Sequence, residues 1–206
     1  MLYQYLTENY RPGEPIFSAD ITLPVSATNL RQMFKKLCDS GAIVRCEPGV
    51  YVLPAPSRLK GSAPLPPAAI VESRYVARRG RVEGYYTGCT FANQIGITTQ
   101  VPFVTEIVSN NASAAVREVT VGGTRVLLRR PRAAVDAKNC RILQFLDLLN
   151  SIDQYADEEP AAAPQKLRTY VKCAQLTKAQ IDRYISLYPD KIYKHFYEMR
   201  LYDVLA

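Results

Sequence analysis

The chain has 206 residues, enough for one large domain or two small ones, and its 48% hydrophobic and 22% charged content is that of a globular protein. No run of about 18 uninterrupted apolar residues occurs, so no membrane span is expected, and no secretory signal is visible at the N-terminus, so a cytoplasmic protein is expected. The net charge of +7 is unevenly placed: residues 1–56 and 136–206 are each neutral, whereas residues 57–135 hold 11 basic and 4 acidic side chains.

In chain order, Leu2, Tyr3, Leu6 and Tyr10 recur at helical spacing and predict a first helix with one apolar face, ended by "RPGEP". "IFSADI" predicts a short helix with Ser18 as its N-cap, and "TLPVS" a turn, because Pro24 is excluded from a helix interior. Ser26 has the hydroxyl needed to cap the next helix. In that helix Leu30, Met33, Phe34 and Leu37 share a face, Cys38 lies at its edge, and Thr28, Arg31, Gln32, Lys35 and Lys36 project elsewhere. Gly41 suits the stop. "AIVRC" and "VYVLP" predict two strands joined by a type II turn at Pro48-Gly49.

"PAPSRLKGSAPLPPA" holds five prolines and reads as an extended linker, residues 57–68. Beyond it a larger mixed α/β domain is expected over residues 69–206. Its predicted elements are a short helix from Thr90 to Ile95 ended by Gly96 and a strand in "PFVTEIVSN". A hairpin turning at Gly122-Gly123 and an amphipathic helix with Ile142, Phe145, Leu146 and Leu149 on one face come next. "ADEEPAAAPQK", Ala156 to Lys166, reads as an exposed acidic loop. "TKAQ" opens a capping box, and a tyrosine-rich helix closes the chain.

Helix, short helix, turn, helix and hairpin within residues 1–56 is the order of a winged helix-turn-helix, so the fold class is α+β, with that unit leading a larger mixed α/β C-terminal domain. The second helix of such a unit enters the major groove of double-stranded DNA and reads base edges, while the hairpin reaches phosphate. Thr28, Arg31, Gln32 and Lys35 are the candidate base readers, since Arg pairs with guanine and Gln with adenine in bidentate fashion. Lys36 and Arg45 suit phosphate, and the cap Ser26 belongs to the same DNA-facing set. The bland reading of this face is a solvated helix surface, and the unit's zero net charge favours it. Arg78, Arg79, Arg81, Arg125, Arg129, Arg130 and Arg132 form a second candidate set for phosphate or for an acidic partner, because the guanidinium fork matches both. The alternative function is a protein-docking module without DNA readout, in which this basic middle binds an acidic protein.

"GVYVLP", "GYYTGCTFANQIGITTQVP" and "TEIVSN" carry a resemblance to the AbiEi family of antitoxins from type IV toxin–antitoxin systems, and to related transcriptional regulators, over about residues 1–150. The resemblance implies a bacterial repressor of its own operon, acting as a homodimer or cooperative pair on an inverted-repeat operator. It also implies a C-terminal domain that counters a nucleotidyltransferase-like toxin. By the same resemblance Thr28 to Lys36 would be the recognition helix, Arg45 to Tyr51 the wing, and Arg78, Arg79 and Arg81 part of the basic surface. The tail from Ala161 to Ala206 does not match.

No catalytic residue, cofactor or metal is expected. His195 is the sole histidine and has no nucleophile signature near it, so it reads as a packing or surface residue. Glu106, Asp136 and Lys138 are too loosely spaced for a metal-dependent nuclease, and "VGGTR" lacks P-loop spacing. Cys38, Cys46, Cys89, Cys140 and Cys173 form no C-x-x-C pair and read as buried, inert thiols.

Overall fold

A computed structural model describes residues 1–55, 65–155 and 162–205. The chain is mixed α+β and divides into two compact units, Met1–Ile70 and Val71–Ala206. Residues 57–64 of the expected linker and residues 156–161 of the expected acidic loop lie outside the described residues. Pro67 and Ala68, read as linker, instead open a helix, α3 (Pro67–Tyr75); proline fits a first helical turn, where its missing N–H has no intrahelical partner.

In the first unit α1 (Leu2–Asn9) buries Leu2 and Leu6 and is followed by buried Tyr10, but Tyr3 points outward at 48% exposure. Tyr3 follows Leu2 by one residue, which turns it about 100° off the apolar face. "IFSADI" is not one helix. Ile16–Phe17 form strand β1, and Ser18–Asp20 a single 3₁₀ turn that takes no side-chain cap from Ser18. The next helix, α2 (Ala27–Asp39), starts where Ser26 predicts: the Ser26 hydroxyl accepts from the Asn29 N–H at 3.2 Å. It stops at Gly41, whose φ of +73° is costly for a residue with a Cβ. There the Gly41 N–H donates to the Cys38 carbonyl and the Ala42 N–H to the Leu37 carbonyl, each at 3.0 Å, satisfying carbonyls that the helix leaves open.

Strands β2 (Val44–Glu47) and β3 (Val50–Val52) form the expected hairpin around Pro48-Gly49. β3 also pairs antiparallel with β1, so the sheet order is β1-β3-β2. Phe34 of α2 is 1% exposed and stacks on Tyr51 of β3, with ring centroids 4.2 Å apart. Leu30, Met33, Leu37 and Cys38 pack around the same cluster as Leu2, Leu6, Ile16 and Ile43.

The second unit is built on a four-stranded sheet of β6 (Gly84–Tyr86), β7 (Thr105–Ser109), β9 (Thr124–Arg129) and β8 (Val116–Val121), in that order. β7 and β9 run parallel, and the other two pairings are antiparallel. A two-residue hairpin, β4 (Ala77–Arg78) and β5 (Arg81–Val82), precedes it. Helix α4 (Gly88–Gln94) begins two residues before the expected Thr90. Helix α5 (Cys140–Asn150) is more deeply buried than a one-faced helix: Leu143 and Leu148 join the four residues named from its periodicity. Leu143 packs with Tyr85, Val108 and Val135 towards the sheet, whereas Phe145 and Leu146 join a second cluster with α6 (Ala162–Cys173), α7 (Lys178–Tyr184) and α8 (Lys191–Glu198). Thr177 and Gln180 make the reciprocal capping box at the start of α7. The tyrosine-rich tail divides: Tyr188 is buried, and Tyr193, Tyr197 and Tyr202 are exposed.

Among the described residues no helix is long and apolar enough to cross a membrane. The cysteines are free thiols, but none is fully buried: four are half-buried and Cys173 is exposed. Burial still pushes the Cys38, Cys46 and Cys140 thiols up, which keeps them protonated and weakly nucleophilic.

Candidate nucleic-acid interface

Two places in the molecule collect the cationic side chains singled out from the sequence. The first is the outer face of α2. Thr28, Arg31, Gln32 and Lys35 follow one another at i, i+3, i+4 and i+7, so the 3.6-residue period stacks them on one face. All four are exposed, as are Lys36 and Ser26. The opposite face carries Phe34 and its neighbours in the core, which fixes the rotation of the helix and commits the polar stripe to the outside. Among the described residues no hydrogen bond or ion pair ties down the side chains of Arg31, Gln32, Lys35 or Lys36. The Ser26 oxygen already accepts from the Asn29 N–H, so its hydroxyl proton is what it can still offer outward.

Arg45 is exposed on β2 and pairs across the hairpin with Tyr51, the residue stacked on Phe34. Its charge reaches the Cys38 thiol, where burial raises the pKa, Arg45 opposes, and Asp39 adds to the rise. Arg45 therefore stands beside the last turns of α2 rather than at the hairpin tip. The tip turns back on the unit: the Gly49 carbonyl accepts from the Ser18 N–H at 2.9 Å. Of the five basic residues in positions 1–56, four (Arg31, Lys35, Lys36 and Arg45) lie on α2 and β2, so a segment with no net charge still has a cationic side.

The seven candidate arginines of the basic middle do not form one surface patch. Arg78 and Arg81 face each other across the β4–β5 hairpin, with Arg79 in its turn, and Arg81 lies 3.5 Å from Glu83. Arg125 pairs with Glu118 at 2.6 Å and covers the Phe103 ring. Arg129, Arg130 and Arg132 line a cleft of about 470 Å³ together with Thr87, Glu106 and Asp147. In it Arg129 holds Glu106 at 3.1 Å, Arg130 donates to the Ser113 carbonyl, and Arg132 donates to the Leu187 carbonyl and lies over the Tyr188 ring.

The residues weighed for catalysis are occupied structurally. Asp136 accepts from the Lys138 and Asn139 N–H groups ahead of α5, and Glu106 accepts from the Cys89 N–H at 3.0 Å. They line different clefts. His195 is buried on α8 with Nε2 at 3.2 Å from Asp153. Among the described residues no group of three or more His, Cys, Asp or Glu side chains is placed to hold a metal ion.

Residues 6–155 match a family model, DUF6088, whose description is a family of unknown function. The chain belongs to this family. A comparison with curated proteins finds no match. The DUF6088 span takes in α2, the β2–β3, β4–β5 and β8–β9 hairpins and every residue of the arginine cleft, and it ends before α6.

Reasoning from sequence finds the α2 face residue by residue. It misses Asp147, Asn150, Ser151 and Gln154, which enter the cleft from α5 and the turn after it. A signal for them exists. They recur at i, i+3, i+4 and i+7 from the last turns of α5 into the 3₁₀ turn after it, a polar stripe beside the buried Leu148, Leu149 and Ile152.

Proposed function

We propose that this DUF6088 chain is a DNA-binding transcriptional regulator whose first unit acts as a winged helix-turn-helix. Its support is a set of exposed, untethered side chains at i, i+3, i+4 and i+7 on α2, Thr28, Arg31, Gln32 and Lys35, on a helix rotated into place by its own core. The sheet order β1-β3-β2, with a 3₁₀ turn before α2 and the hairpin after it, agrees with that architecture. Arg31 and Gln32 have the donor and acceptor patterns that read guanine and adenine in the major groove. Lys36 and Arg45 contact phosphate and position the helix. An inverted-repeat operator then requires two copies of the chain, one per half-site.

A footprint on the DNA upstream of its gene, at two salt concentrations, tests the proposal. Specific protection is expected from the natural chain and is lost on Arg31→Ala with Gln32→Ala. Undiminished protection by the double variant removes these residues from the role. The resemblance to AbiEi antitoxins adds that the second unit counters a nucleotidyltransferase-like toxin, which growth rescue on co-expression with a neighbouring gene of that type would test. Docking of an acidic protein on the basic middle draws less support, because Arg125 and Arg129 already pair with Glu118 and Glu106 of the same unit.

A further inference from the structure

We infer that the arginine cleft of the second unit is a binding site for a phosphate dianion, carried as the free ion or as the terminal group of a small phosphomonoester. Its volume of about 470 Å³ falls in the range of small-molecule sites. The floor is a row across the sheet. Arg129 of β9 has Val108 of β7 as its register partner on one side and Val116 of β8 on the other, and all three line the cleft. Leu143 of α5 packs on Val108 and Tyr85, whereas Val116 stays 52% exposed, so the β8 end of the row is open to solvent.

The charge of the lining suits an anion. The guanidinium groups of Arg129, Arg130 and Arg132 share it with the carboxyl groups of Glu106 and Asp147, so the excess is positive even with both carboxyls ionised. Each carboxyl is also engaged by the protein. Glu106 accepts from the Cys89 N–H at 3.0 Å and pairs with Arg129 at 3.1 Å. A Cβ at Gly88 would fall on that carboxylate, so the glycine is what lets Glu106 sit there. Asp147 accepts from the Tyr85 hydroxyl at 2.6 Å, and burial, its largest influence, favours the neutral carboxyl.

The way Arg130 and Arg132 are held separates them from structural ion pairs. Arg125, in the same unit, is matched to a carboxylate at 2.6 Å. Arg130 instead donates to the Ser113 carbonyl, and among the described residues no ion pair neutralises it. Arg132 donates to the Leu187 carbonyl and lies over the Tyr188 ring, with its nearest carboxylate, Asp147, at 4.0 Å. A neutral carbonyl fixes a guanidinium without cancelling its charge, and one such contact leaves most of the fork's N–H groups for a ligand. Two fixed, charged forks beside Arg129 match the several oxygens and double charge of phosphate better than a single carboxylate. The exposed Val116 offers an apolar rest for the organic part of an ester.

The test is calorimetric titration of the full chain at constant ionic strength, with inorganic phosphate, phenyl phosphate and acetate as separate arms. At about pH 7.5 both phosphates are mostly dianions. At least one of them is expected to bind with a Kd of about 1 mM or below, and about 10-fold or more tightly than acetate. Equal affinity for the two assigns the site to the free ion; tighter binding of phenyl phosphate assigns it to an ester resting on Val116. Arg130→Gln, at an exposed position, should weaken binding about 5-fold or more, and Lys178→Gln, the same loss of charge at an exposed position outside the cleft, should leave it unchanged. Val116→Glu sets a carboxylate opposite Arg129 at a position that needs no burial, and should abolish binding. The inference is overturned if neither phosphate binds at about 10 mM or if acetate binds as tightly. It is equally overturned if Arg130→Gln weakens binding no more than Lys178→Gln does, or if Val116→Glu leaves binding unchanged.

Discussion

On the outer face of α2, Arg31, Lys35 and Lys36 are exposed and, among the described residues, hold no ion pair. In the second unit Arg125 lies on Glu118 and Arg129 on Glu106. Residues 1–56, with no net charge, present cations without ion-pair partners on one helix face, whereas in the region carrying the +7 excess Arg81, Arg125 and Arg129 stand against its own Glu83, Glu118 and Glu106. Net charge is a long-range quantity that salt screens within about 10 Å. Recognition of a phosphate or a base depends on which guanidinium or ammonium groups still lack a partner. The two regions therefore suit different work: α2 offers a solvent-facing stripe that fits an extended polyanion, and the cleft encloses its arginines around a volume that fits a small one.

The largest effect bearing on this contrast comes from beneath the α2 face. Phe34→Ala removes a ring that is 1% exposed and stacked on Tyr51, and should destabilise the first unit by about 3–5 kcal/mol. Urea unfolding followed through hydrogen exchange of α2 amides measures it. Loss of DNA binding in that variant would show only that the face needs its core. Arg31→Ala with Gln32→Ala is the more selective change, because both positions are exposed. Stability should stay within about 0.5 kcal/mol, while specific DNA affinity drops by about 1–3 kcal/mol for each bidentate pairing with a base that is removed. Equal weakening on specific and random DNA would reassign the pair to phosphate. Lys36→Ala should act in that second way, lowering affinity on every sequence and making the slope of log affinity against log salt shallower by about 0.9. An unchanged slope would place Lys36 off the DNA.

Much of the first unit is legible from local chemistry. The Ser26 cap, the Gly41 stop and the Pro48-Gly49 turn each depend on a few adjacent residues, and the rotation of α2 follows from Leu30, Met33, Phe34 and Leu37. Strand β1 is not legible, because two residues have no period and Ile16–Phe17 are extended only through pairing with β3, more than thirty residues on. Tyr3 misleads for a related reason: a large ring next to a core residue reads as core. In the second unit the capping box at Thr177 and Gln180 and the Gly122-Gly123 turn are local and readable. The cleft is not. It exists because β9 inserts parallel to β7, which sets Arg129 beside Val108 and within reach of Glu106, and because α5 brings Asp147 to Tyr85, 62 residues away in sequence. No spacing rule connects those positions.

The gentlest probe of the contrast is pH. Asp147 and Glu118 are both acidic partners of arginines, yet their surroundings push them apart. A hydrogen bond from Arg125 holds the exposed Glu118 below its usual range, so what that pairing contributes is present at neutral pH and is lost as pH falls. Asp147 is raised, first by burial, against the opposing hydrogen bonds of Tyr85 and Tyr188 and the charge of Arg132. With a raised pKa in the fold, the native state holds the proton more tightly than the unfolded chain does. Its contribution is therefore greatest below the ordinary aspartate value and falls as pH rises towards the raised one, after which it is constant. Asp147→Asn keeps an acceptor for the Tyr85 hydroxyl and removes the titration. The variant should gain stability relative to the natural chain as pH increases from about 4 to 8, read from hydrogen exchange of α5 amides. A difference that does not change with pH would mean that the Tyr85 and Tyr188 hydrogen bonds and the Arg132 charge offset the burial of the Asp147 carboxyl, and a difference of the opposite slope would mean that they outweigh it.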